Sequence, residues 1–534
     1  MLRRRPSGRP GWRAARRSAK SDTWQRASGS ASAPLATPVS QLLRTKNIDQ
    51  LIAAAESPEK RLRKTLGPWS LTALGIGAVI GSGIFILTGT AAAGETLSYG
   101  SILHAPVLDL ILHGRSAVST FGRPGAGPGI ALSFILTAVA CSFAALCYAE
   151  LASMIPIAGS AYTYAYATLG EIFAWIIGWD LILEYAVSNM AVAVGFSAYF
   201  NDMLENLLGF HLPAQLSAPM ISGGEFTGAW FNLPAFIVLL VLTVILVHGV
   251  RESARANNTM VLIKIGAILI FVAGASRAVQ TANWHPFLPN GFGGVLTGAA
   301  IVFFTYIGFD SVSTAAEECR NPQKDLPFGI VASLIVCTVL YVSVALVLTG
   351  IANWKTLASA APVAEALKTL GYNNIRQWVT IGALVGMASS LLVFQYGQAR
   401  VWFAMSRDGL LPRAFSRVHP VHRTPHISTW VAGLFVGIPA GIWDIGTFAD
   451  LSNIGTLFAF VVVSAGVIVL RRKQPERKRG FRMPGVPYLP AFAIACCAGL
   501  MAGLPLETWL RFFAWLAVGL VIYMLFGRKH SRMV

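Results

Sequence analysis

Four ionisable side chains, Asp180, Glu184, Lys264 and Asp310, lie inside long apolar stretches of this chain. Charge is costly in hydrocarbon, so each is a candidate for proton handling, ion pairing or ligand contact. Lys264 stands in the run Met260–Gly266 with no acid within one helical turn. A desolvated lysine can accept and release a proton. Its alternative is to snorkel to the membrane surface. It lies nine residues past Arg255. That is roughly 13 Å along a helix at ~1.5 Å per residue, near the limit of a lysine's reach, so the proton role is preferred. Asp180 and Glu184 are spaced i, i+4 and share a helix face. A carboxylate facing a cavity suits a cationic group or a gating hydrogen bond. Asp180 is read as making a structural hydrogen bond to a broken helix end. Glu184 and Asp310 are read as site residues.

Two apolar stretches are interrupted by small residues. The stretch 71–93 carries Gly75–Phe85, which includes Gly75, Gly77, Gly81, Ser82 and Gly83. The stretch 294–316 carries Phe304-Thr305-Tyr306-Ile307-Gly308-Phe309-Asp310. An unwound turn in lipid is tolerated only where it lines a protein cavity. Two interrupted segments in matching positions point to a midplane binding site between half-helices. The plainer reading is close helix packing through small residues. Two interruptions in register, with an acid after the second, favour a site. The half-helix starting near Ser82-Gly83 would aim free N–H groups into the break, and these favour a carboxylate. The half-helix ending near Phe304-Thr305 would leave carbonyls free for an amine. If the two breaks face each other, the pair describes a receptor for an α-amino acid.

These residues need a membrane scaffold. The chain has 534 residues, 54% hydrophobic and 12% charged, with a mean hydropathy of +0.59. A soluble chain would carry roughly 25% charge. Twelve apolar segments of spanning length are predicted. They are 71–93, 128–150, 172–200, 232–250, 257–275, 294–316, 328–350, 377–404, 427–443, 449–470, 488–505 and 508–526. The net charge of +18 follows the membrane and does not indicate nucleic acid. Of 42 Lys and Arg, 34 fall in the two tails and in alternate connections. The opposite side has none between Asn201 and Asn232 or between Asp444 and Asp450. The positive-inside rule then puts both termini in the cytoplasm.

Residues 1–64 read as a basic cytoplasmic tail, with an amphipathic surface helix near 47–56 and the membrane domain at 65–530. The Arg, Ser, Ala and Pro content of residues 1–40 also resembles an organelle transit peptide, and a disordered cytoplasmic tail or a start codon called too early is preferred to it. The six cysteines lack metal-ligand spacing and read as reduced core residues. His419, His422 and His426 are weak evidence for a metal. There is no P-loop, nucleophile elbow or dinucleotide fingerprint. No cofactor, metal or enzyme activity is expected, and work must come from an ion gradient or from exchange.

Five stretches carry a resemblance: Gly75–Phe85, Cys147–Pro156, Ile176–Tyr185, Glu318–Pro322 and Met405–Pro412. Together the chain resembles the amino acid–polyamine–organocation superfamily, and within it the bacterial cationic amino acid transporters, from about Gln41 to Ser531. The resemblance implies an all-α, LeuT-type membrane protein. Its twelve helices form two inverted five-helix repeats (segments 1–5 and 6–10) plus two more, with helices 1 and 6 broken. It implies a substrate carboxylate at Val79, Ile80, Gly81, Ser82 and Gly83, and an amine at the carbonyls of Phe304, Thr305 and Ile307. Lys264 matches a lysine that replaces a sodium ion and couples protons, and Glu184 and Asp310 match the family's acids. Ser82 stands where the family often has Thr, which keeps the hydroxyl. The larger departure is an outer insert at 95–125, whose apolar run 101–112 is too short to span. It would pack on the outer surface, cover the way in, or perturb the end of segment 1.

The expected function is secondary transport of cationic or small neutral L-amino acids across the cell membrane, with protons as coupling ion. Exchange is the alternative. A non-transporting receptor would need a signalling domain, and a channel would need a repeated polar face. Oligomeric state is open.

Overall fold

The computed structural model describes residues 42–531 except 56–63, 65, 95–100, 115–122, 158, 223–224, 249, 360 and 423. Residues 1–41 and 56–63 of the predicted tail 1–64, and parts of the 95–125 insert, thus lie outside the described residues. Among the described residues eight helices are long and apolar enough to cross a membrane, in the places of segments 2, 3, 5, 6, 7, 8, 10 and 12. Four shorter apolar helices, Pro68–Val79, Leu233–His248, His426–Ala440 and Tyr488–Ala502, stand in the places of segments 1, 4, 9 and 11. Among the described residues the only strands are Ile221–Ser222 and Glu225–Phe226, a small antiparallel hairpin. A helix also spans Ile48–Ala55.

Burial is inverted relative to a soluble protein. Leu262, Val339 and Leu525 are more than half exposed, while Asp180, Glu184, Lys264 and Asp310 are buried. The apolar outer surface suits lipid, and the polar residues face the helix bundle. Segment 3 is the axis: the helix Glu171–Leu208 has 89% of its apolar window buried, against 22% for Leu506–His530 of segment 12. Segment 3 runs 38 residues, about 57 Å at ~1.5 Å per residue, well past its predicted end.

The winding of segment 6 departs from expectation. Its second half, Phe309–Glu318, is a 3-10 helix where an α-helix was expected. The hydroxyls of Ser311, Ser313 and Thr314 donate to the carbonyls three residues back, at 2.5–2.6 Å. Such local bonds compete with the α-helical pattern and favour the tighter turn. At the other end of that half, Leu66 N–H donates to the Glu318 carbonyl and Arg320 N–H to the Leu66 carbonyl. These bonds tie the chain entering segment 1 to the chain leaving segment 6.

Candidate functional site

Segment 1 is broken where its glycines predicted. The helix Pro68–Val79 ends as Ile80 and Gly81 leave helical geometry, with ψ of 88° and −138°. A new helical turn starts at Ser82–Phe85, and Leu87–Ala93 follows. Segment 6 is α-helical over Gly291–Val302, tightens over Phe303–Tyr306, and turns at Ile307 and Gly308. Gly308 has a φ of +119°, a conformation L side chains rarely adopt. A Cβ there would also lie 2.7 Å from that of Ala78.

The two breaks face each other. The Tyr341 hydroxyl of segment 7 lies 2.8 Å from the Val79 carbonyl and 2.7 Å from that of Thr305. It is a single donor placed between two acceptors, one in each broken segment. Gly83 packs on the second break: a Cβ there would lie 2.6 Å from Thr305 Cγ2 and 3.0 Å from its Cα.

The carbonyls at the end of the first half-helix have partners. Lys264 Nζ donates to Gly77 O at 2.8 Å and Ile80 O at 2.9 Å. Ser390 Oγ donates to Ala78 O at 2.6 Å. Ser389 Oγ lies 3.5 Å from Lys264 Nζ and donates to Asn257 Oδ1 at 2.8 Å. Lys264 is fully buried with its amine turned into the break, which is the opposite of snorkelling. A helix end leaves its last carbonyls unsatisfied, and these side chains supply the missing donors.

Residues 66–526 match the amino acid permease family. The chain belongs to that family, within the amino acid–polyamine–organocation superfamily. It is a membrane transporter of amino acids and not an enzyme. The permease is 48% identical over 494 residues to the branched-chain amino acid permease BcaP of Bacillus subtilis (strain 168), covering 92% of this chain and 99% of that protein. It is 46% identical over 493 residues to a methylthioribose transporter of the same organism, with the same coverage. Cationic amino acid transporter 9, chloroplastic, of Arabidopsis thaliana is 33% identical over 561 residues, covering 92% of this chain and 93% of that protein.

On the amide side of the permease's break, Ser82 is fully buried and its hydroxyl has no hydrogen-bond partner among the described residues. On the carbonyl side, Phe304 O accepts from Ile307 N–H, and Thr305 O lies against Tyr341. Each carbonyl keeps one further lone pair.

The acids form a second polar cluster. Asp310 Oδ2 accepts from Tyr185 OH at 3.1 Å. Asp310 Oδ1 and both oxygens of Glu184 have no partner among the described residues. The Thr456 hydroxyl beside Glu184 donates to Ser452 O instead. Asp180 differs from expectation: it makes no structural hydrogen bond, and both its oxygens are buried without a partner among the described residues. It packs against segment 10, where a Cβ on Gly455 would lie 2.7 Å from Oδ1. The buried Tyr148 hydroxyl, also unpartnered among the described residues, neighbours all three acids.

The weak histidine signal gains a member, because the ring of His248 at the end of segment 4 lies 5.2 Å from that of His422, tilted by 57°. His419 Nδ1 accepts from the N–H groups of Val421 and His422, so that nitrogen shapes the loop. Among the described residues no group of His, Cys, Asp and Glu has the geometry to hold a metal ion.

Sequence reasoning missed Asn257, Tyr341, Ser389 and Ser390. The adjacent serines inside apolar segment 8 and a tyrosine inside segment 7 were visible signals. Nothing in the sequence said that they serve the break of segment 1.

Proposed function

We propose that this permease carries amino acids inward by alternating access, coupled to protons. The substrate carboxylate meets the amides at Ser82 and Gly83 within the Val79–Gly83 break. The ammonium meets the carbonyls of Phe304, Thr305 and Ile307. The chain crosses the cell membrane twelve times as two inverted five-helix repeats plus two helices, with both termini cytoplasmic. The sidedness of its basic residues supports that orientation.

The observation that carries the coupling is the Lys264 amine on the Gly77 and Ile80 carbonyls. Protonated, it has three donors and holds segment 5 to the end of the first half-helix, much as a bound cation would. Released toward the cytoplasm, the proton takes the charge-assisted part of those bonds with it, and the contact loosens. Substrate then leaves inward.

A neutral aliphatic side chain is the first reading of specificity, supported by the likeness to BcaP. A cationic one is the second, supported by the carboxylate of Glu184, which has no partner among the described residues. Uptake of labelled leucine, alanine and lysine into proteoliposomes, with and without an imposed pH gradient, tests both. Lys264→Ala should lose the acceleration by an inward proton gradient and keep at most slow exchange. Steep dependence on the gradient in Lys264→Ala would move the coupling proton to Glu184 or Asp310. Counterflow indifferent to pH in the unsubstituted permease would leave exchange as the mechanism.

A further inference from the structure

The insert after segment 1 carries a short helix, Val107–His113. Just before it the chain is clamped to the turn between segments 11 and 12. Leu506 N–H donates to Ala105 O and Val107 N–H to Leu504 O, both at 3.1 Å, on either side of the paired Pro106 and Pro505. His104 Nε2 lies 3.4 Å from a Glu507 carboxylate oxygen. Ala105 and Pro106 are buried under this contact. Residues 104–107 of the insert are therefore fixed where the helix Leu506–Ile522 begins.

Its helix is amphipathic in the wrong sense for water. Leu108, Ile111 and Leu112 are spaced i, i+3, i+4 and form one stripe. They are 36%, 72% and 64% exposed. Ile102 and Leu103, at 42% and 43%, extend the patch. The stretch 101–114 contains no Lys or Arg. The helix to which it is clamped is the least buried of the eight long ones, and its Leu510, Phe513, Val518 and Val521 are over half exposed, as a lipid-facing surface is. The clamp sets the exposed apolar stripe beside the start of that helix.

We propose that the Val107–His113 helix is a membrane anchor, with Leu108, Ile111 and Leu112 seated in the headgroup–acyl boundary of the leaflet beside the turn between segments 11 and 12. An amphipathic helix at that depth buries its apolar stripe in lipid and keeps its polar residues in the headgroups. Neither a lid over the substrate path nor a contact with a second copy is needed to cover the stripe. That this leaflet is the outer one rests on the orientation proposed above, and the two claims separate experimentally.

The test places a nitroxide label at Ile111→Cys, Leu112→Cys and Asp109→Cys, one at a time, in the full chain reconstituted in phosphatidylcholine vesicles. The native cysteines are buried except half-buried Cys496, so the unsubstituted chain supplies the background. Power saturation then compares collisions with oxygen, which partitions into lipid, and with a water-soluble nickel chelate. The anchor predicts oxygen-rich, nickel-poor labels at Ile111→Cys and Leu112→Cys, with nickel accessibility at least fivefold higher at Asp109→Cys. Equal nickel accessibility at all three sites would overturn it in favour of an aqueous loop. Exclusion of both reagents at Ile111→Cys and Leu112→Cys would overturn it in favour of a protein-covered face. Labelling of Asp109→Cys by an impermeant thiol reagent added outside sealed, oriented vesicles reads the side separately, and its failure would overturn only the orientation.

Discussion

Replacing Gly83 by alanine adds one methyl group where the two breaks meet. The new Cβ would lie 2.6 Å from Thr305 Cγ2, with Thr305 Cα and Cβ at 3.0 and 3.1 Å. That is roughly 1 Å short of the ~3.5–4.0 Å at which carbon atoms pack. Thr305 has little freedom to yield. It is β-branched, buried, and its hydroxyl donates to Val302 O at 2.7 Å. Segment 1 and segment 6 must therefore separate locally. Overpacking of this kind costs about 1–3 kcal/mol. If the substrate is bound between the breaks, the dissociation constant should rise about 5- to 150-fold, since ~1.4 kcal/mol is a factor of ten. Equilibrium binding of labelled leucine, alanine and lysine to purified permease reads this directly, with circular dichroism to verify that the variant is helical. The double variant Gly83→Ala/Thr305→Ser removes the closest clashing carbon and should recover part of the loss. Wild-type affinity in Gly83→Ala would refute the placement of the substrate at this junction. A double variant that binds no better than Gly83→Ala would refute the steric explanation.

Tyr341→Phe leaves the Val79 and Thr305 carbonyls without their shared donor. An unsatisfied buried acceptor costs about 1–3 kcal/mol, so a fall in melting temperature and slower uptake are expected, and unchanged values for both would remove Tyr341 as the link between the breaks. Glu184→Gln should weaken lysine more than alanine, since a hydrogen bond to a charged group contributes about 1.5–3 kcal/mol. Competition against labelled alanine uptake measures it, and equal losses for the two amino acids would give Glu184 a structural role.

Much of this arrangement was legible because lipid leaves the sequence few choices. Apolar segments had to be helices, and glycines at 75, 77, 81 and 83 had little reason to cluster in a straight one. The break at Ile80–Gly81 follows. The break of segment 6 was placed well, but the 3-10 winding after it was not. The serines and threonine that cause it read as ordinary small polar residues until their hydroxyls are seen turned back on the chain. Lys264 was recognised as anomalous in its own segment, but its partners are backbone carbonyls, which have no sequence signature. The same holds for Ser389, Ser390 and Tyr341, whose roles depend on which helix they lean against. Asp180 was misjudged for the converse reason. Its spacing from Glu184 was right, but the expected hydrogen bond had to come from another helix, and segment 10 presents Gly455 there.

The donors and acceptors around the two breaks are unevenly matched, and that imbalance bears on what is bound. Carbonyls at the end of the first half-helix are answered within the protein by Lys264, Ser390 and Tyr341. Across the gap, the buried Ser82 hydroxyl has no partner among the described residues, and the first amides of its helical turn have none within that turn. Buried polar groups are normally satisfied, and an exception calls for a missing partner. The Ser82 hydroxyl and the amides that open this turn can donate to an acceptor, and a carboxylate supplies two oxygens. In the acid cluster, both oxygens of Glu184 and Oδ1 of Asp310 have no partner among the described residues and ask for donors, while Asp310 Oδ2 is answered by Tyr185. A zwitterion with its carboxylate toward Ser82 and its ammonium toward segment 6 meets the first demand and leaves the acids to a proton or to a basic side chain. This ordering supports one common mode for the amino acid backbone. If a basic substrate side chain reaches Glu184 and Asp310 as proposed, their protonation decides between neutral and cationic substrates. Raising the external pH should therefore shift competition toward lysine and away from alanine in the unsubstituted permease. The shift should be smaller in Glu184→Gln, and a shift of equal size there would assign the selectivity to Asp310.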